Sequence, residues 1–72
     1  MESKEFKENN WMNERAKVTF KDGEKITGEV SITEPFDMEG ETSEDSIYIM
    51  IDKGTAVIEE KLSEVLKIEP LR

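Results

Sequence analysis

The chain of 72 residues has no cysteine and no histidine, and each absence removes a class of chemistry. Without cysteine there are no disulfides to staple so small a domain, and without either residue no ordinary zinc site supplements the core. Without histidine a serine or threonine has no imidazole base, so nucleophilic triads are excluded. Proline is scarce (Pro35 and Pro70), so long stretches are free to pair in a ladder. No run approaches the roughly 20 apolar residues of a membrane-spanning helix. Met1-Glu2-Ser3-Lys4-Glu5-Phe6-Lys7-Glu8 is charged throughout and lacks the apolar centre of a signal peptide. The expectation from these absences is a cytoplasmic protein that needs no membrane, and no metal or other cofactor.

Positive charge is the other shortage. Ten Lys and Arg face eighteen Asp and Glu, a net charge of −8. Six of the acids (Glu34, Asp37, Glu39, Glu41, Glu44, Asp45) fall in one stretch without Lys or Arg, and the rest of the chain is close to neutral. The basic residues Lys17, Lys21, Lys25, Lys53, Lys61 and Lys67 are dispersed among acids along the sequence. This pattern argues against nucleic acid as a partner, because phosphate backbones are held by clustered cations.

What the chain does have is alternation. Val18 and Phe20 precede Asp22-Gly23, and Ile26, Val30 and Ile32 follow it on every second position. A period of two lines one face of a strand, and Asp-Gly is a hairpin turn signal. The spacing predicts strands over 15–21 and 25–33. Gly28, on the apolar parity of the second strand, predicts a bulge, a sharp bend or the close approach of another backbone. Pro35 closes that strand. From Glu34 to Ser46 periodicity is absent, and the composition predicts an acidic loop. Ile47, Ile49 and Ile51 share one face of a third strand (46–52), with Tyr48 and Met50 on the other. Lys53-Gly54 predicts a tight turn, followed by a fourth strand over 55–59. A single helical turn within 60–64 and a fifth strand over 65–69 complete the order, and Pro70 ends it. Residues 1–14 read as a short helix or a tail, in which Trp11 anchors over an open barrel end. The fold class is therefore all-β: one domain, a small five-stranded SH3-like barrel with a short N-terminal helix or tail.

Val18-Thr19-Phe20-Lys21-Asp22-Gly23, followed by Gly28 and the alternating Glu29-Val30-Ser31-Ile32, resembles the first half of the Sm-like (LSM) signature. The resemblance spans roughly residues 15–69 and implies an Sm-type barrel and oligomerisation. Sm proteins bind uridines through an Asp and an Asn after the second strand and an Arg-Gly pair before the fourth. Phe36-Asp37-Met38 resembles the first of those elements, but Glu39 follows and no Asn is present there. Lys53-Gly54 replaces Arg-Gly, and lysine lacks the planar fork that stacks and bonds bidentately. The resemblance therefore implies a fold without carrying over RNA binding.

No constellation points to catalysis. Paired carboxylates need a cleft that separates their pKa values, and a filled barrel of this size offers none. Three readings of the acidic stretch compete: a solvated loop, a cation site whose spacing does not match the EF-hand pattern, and a recognition surface for a basic protein. The partner-binding candidates are Asp37, Glu39, Glu41, Glu44 and Asp45, with Trp11 and Tyr48 as aromatic contacts or packing residues. The expected function is a non-catalytic interaction module that binds protein partners and self-associates. The alternatives are an Sm-like RNA binder with a remodelled site, or an acidic decoy for a nucleic-acid-binding protein.

Overall fold

A computed structural model describes residues 1–33 and 46–71. Helix α1 (Ser3–Glu8) leads into five strands: β1 (Arg15–Phe20), β2 (Lys25–Thr33), β3 (Tyr48–Asp52), β4 (Val57–Lys61) and β5 (Val65–Pro70). A 3₁₀ turn (Leu62–Glu64) separates the last two. The strands form one antiparallel sheet in the order β4-β3-β2-β1-β5. The all-β class is as the alternation predicts. Closure into a barrel is not seen, because β4 and β5 stand at opposite ends of the ladder. The 3₁₀ turn redirects the chain so that β5 pairs with β1 instead of with β4.

The β1–β2 hairpin follows from its turn chemistry. Gly23 has φ +94°, a region costly for residues with a Cβ. The Asp22 carboxylate accepts the Glu24 amide at 2.9 Å, and Phe20 and Glu24 close the ladder at 2.8 Å. Beyond the turn, Val18 lies opposite Ile26, and Arg15 opposite Glu29. Gly28 answers the predicted close approach: a Cβ there would overlap the Asp52 carbonyl and the Ile51 side chain.

Alternation puts Ala16, Val18 and Phe20 of β1 in the core with Ile26 and Val30, Ile49 and Ile51, and Val65 and Ile68 from the neighbouring strands. Ile47 and Leu62 extend it, and Phe6 of α1 is fully buried against it. Trp11 lies beyond the end of α1 and meets Phe6 edge-to-face, with ring centroids 5.9 Å apart. Asn10 and Asn13, both with positive φ, turn the chain back between them. The Met1 ammonium donates to the carbonyls of Leu62 (3.3 Å) and Val65 (3.0 Å), tying the start of the chain to the 3₁₀ turn.

Two boundaries differ from expectation. β3 starts at Tyr48, two residues late, although the Leu62 amide still donates to the Ile47 carbonyl (2.9 Å) in register with the β3–β4 pairing. β4 starts at Val57 and reaches Lys61, where the spacing predicts 55–59. The Asp52 carboxylate accepts the Gly54 amide at 2.8 Å and the Lys53 amide reaches the Ala56 carbonyl. The turn therefore consumes four residues where a two-residue turn is predicted.

Candidate functional site

The first candidate surface is the pair of sheet edges. Among the described residues, β4 has a neighbour only in β3, and β5 only in β1. Each edge carries an apolar side chain in solvent: Val57, 55% exposed, on β4 and Leu66, 60% exposed, on β5. Leu66 is left out of register where the β1–β5 pairing shifts from Thr19↔Lys67 to Phe20↔Val65. Such a shift is a β-bulge, and the residue it leaves over has no cross-strand partner. The remaining exposed positions of these edges are charged, apart from Pro70 at the end of β5: Glu59, Glu60 and Lys61 on β4, Lys67 on β5.

The second surface is the face of the sheet turned away from the core. In its β1–β5 half, Lys17 pairs across the ladder with Thr27 and Glu69, and Thr19 with Lys25 and Lys67. Lys67 Nζ lies 3.2 Å from the Glu69 carboxylate and Lys17 Nζ 3.8 Å away. The hydrogen bond from Lys67, then the charges of Lys17, Lys67 and Lys25, hold the Glu69 carboxyl below its usual range. Lysines that look dispersed in the chain thus meet on adjacent strands. Only the cross-strand register reveals this, and hairpin turn lengths set that register. In the β3–β4 half the same face carries Tyr48, Met50 and Asp52, with the Thr33 hydroxyl 3.2 Å from the Met50 sulfur.

The structure separates the two aromatic candidates. Trp11 packs against the core side with Phe6, whereas Tyr48 sits half-buried on the outer side beside Thr33 and Lys61. They do not form one patch. Asp37, Glu39, Glu41, Glu44 and Asp45 lie outside the described residues, as does the loop to which they were assigned.

Two open clefts lie among the described residues. One, of about 230 Å³, is lined by Phe20, Asp22, Glu24, Glu60 and Glu64. The other, of about 170 Å³, is lined by Glu29, Ser31, Met50, Asp52 and Val57. Both are rich in carboxylates, and the second also holds the Ser31 side chain. Sequence reasoning points to an open edge on the fourth or fifth strand, with Glu59, Lys67 and Glu69 charging it against open-ended association, but not to Val57 and Leu66, which stand in runs that read as ordinary strand alternation. No protein-family model, curated protein or solved structure matches the chain.

Proposed function

We propose that this chain is a non-catalytic interaction module of Sm-like type that acts through protein contacts, beginning with copies of itself. One observation carries the reading: among the described residues the sheet ends in two unlike open edges, each with an exposed aliphatic residue. An unpaired edge presents free backbone donors and acceptors, and the ordinary defence is to charge, shorten or cover it. Here the charges are mixed in sign, Glu59 and Glu60 on β4 against Lys67 on β5, which suits the pairing of one edge with the other. A domain this small also gains most from burying apolar surface between copies. The Sm-like part of the reading is supported by the strand order, the preceding helix and the crowded glycine in β2. The acidic run from Glu34 to Asp45 adds, on its charge alone, a contact for a basic partner.

Sedimentation of the full chain tests this. The expected species is larger than the 8.3 kDa monomer and dissociates when Val57→Lys or Leu66→Lys is introduced. A monomer at every accessible concentration, with the amide spectrum of a folded protein, overturns self-association.

A further inference from the structure

We propose that the outer face of β1, between β2 and β5, is a docking surface for a short, extended acidic segment of a partner protein, held by Lys17, Lys25 and Lys67 around Thr19. This surface lies on the sheet face and shares only Lys67 with the β5 edge. Thr19 stands in the middle of the row Lys25–Thr19–Lys67, and Lys17 is two residues along the same strand face. Adjacent strands are about 4.8 Å apart and alternate residues of one strand about 7 Å apart, so the three lysines span roughly 10 by 7 Å. That patch matches two carboxylates at alternate positions of an extended peptide. It is too small for the continuous cationic track that holds a single-stranded polynucleotide.

Two further observations point to an incoming carboxylate. Thr19 is only 5% exposed, and its hydroxyl has no hydrogen-bond partner. A buried hydroxyl without a partner is an uncommon and costly arrangement, and an acceptor oxygen resolves it once the side chains that enclose the hydroxyl part to admit one. In addition, Glu69 already sits against Lys17 and Lys67 as an internal carboxylate, which shows the group these ammoniums accept. Glu69 is the one acid among the cross-strand partners of Lys17 and Thr19, and Glu29 faces Arg15 at the margin. The local balance is therefore positive in a chain of net charge −8.

The test is an amide-shift titration of the full chain with a synthetic alternating Glu-Ser peptide, and in parallel with oligothymidine. Saturable shifts are expected at Lys17, Thr19, Lys25 and Lys67 with the peptide. Lys25→Gln and Lys67→Gln should each weaken binding by roughly two- to five-fold, the range of a single exposed ion pair. Glu69→Gln should strengthen it, because it frees two lysines from the internal competitor. Binding should also fade between about 0.01 and about 1 M salt, as the Debye length falls from about 30 to about 3 Å. The proposal is overturned by absence of saturation, by shifts that map elsewhere, or by a Glu69→Gln variant that binds no better. Tighter binding of oligothymidine to the same amides overturns it in favour of a nucleic-acid surface. The titration is repeated on Val57→Lys, whose substitution lies on β4 at the far end of the sheet and leaves the β1 face intact, so the outcomes are read independently of self-association.

Discussion

A Cβ on Gly28 would run into the carbonyl of Asp52 and the Cγ2 of Ile51, both on the neighbouring strand. One of those obstacles is backbone, the carbonyl of the last residue of β3, which is paired on both sides and has little room to give. Gly28→Ala should therefore cost about 1–3 kcal/mol, the usual range for overpacking, read as a lowered urea midpoint. Gly23 is constrained differently: no atom lies within 4 Å of a Cβ built there, but its φ is +94°. Gly23→Val should cost about 1 kcal/mol or more, and Gly23→Asn less, because asparagine tolerates positive φ. Equal losses for Val and Asn would show that space, not conformation, is what Gly23 provides. Glu69 supplies a residue-scale prediction in pH. The Lys67 hydrogen bond, with the charge of Lys17 next, lowers its carboxyl pKa. A depressed folded-state value means that its contribution is complete above the unfolded carboxylate pKa and disappears as pH falls through the folded one. Carboxyl shifts should place Glu69 below the ordinary glutamate value, and Lys67→Met should move it back up.

Helix α1 spans only Ser3–Glu8, too short to hold itself by backbone hydrogen bonds. Its anchor is Phe6, fully buried and met edge-to-face by Trp11. Phe6→Ala should cost about 3–5 kcal/mol, comparable to the whole stability of a domain this size. Met12→Ala, at an exposed position of the same segment, should stay within about 0.5 kcal/mol. If chemical denaturation shows similar losses for both, α1 is not part of the cooperative core. These elements also show what can be read from the residues alone. The β1–β2 hairpin was legible because alternation and Asp22-Gly23 make the same statement twice. The Phe6–Trp11 contact was not, since a five-residue spacing fits no single helical face and the reversal lies in the positive φ of Asn10 and Asn13. The start of β4 was missed for a similar reason: a side-chain oxygen of Asp52 captures the Gly54 amide and lengthens the turn. Of the candidate site, the apolar edges were hidden by a bulge at Leu66, and the lysine face by its dependence on register between three strands.

At the scale of the whole molecule, the two sheet edges differ, so the proposed contact of β4 of one copy with β5 of the next would be heterologous, whereas β4 with β4 or β5 with β5 would be isologous and stop at a dimer. Repetition of the heterologous contact closes a ring or propagates a filament, according to the rotation it imposes. Either product would repeat the lysine face and the charge of the 34–45 stretch in every subunit. The repeated charge bears on RNA. Assembly multiplies a net charge of −8 per copy, and a polyanion approaching such a field is repelled unless cations line a continuous path. Lys53, at the place where the resemblance implies an Arg-Gly pair, is one exposed ammonium in a turn whose neighbouring acid, Asp52, is also exposed. The three lysines around Thr19 form a compact patch, not a path. Titration of uridine-rich and adenine-rich oligonucleotides should therefore show no saturable binding at micromolar concentration, for the monomer or for any assembly. Micromolar or tighter binding that Lys53→Ala abolishes would make the protein an RNA binder working through its β3–β4 turn. The edges would then be the means of assembling that site, and protein contacts would no longer be the principal function.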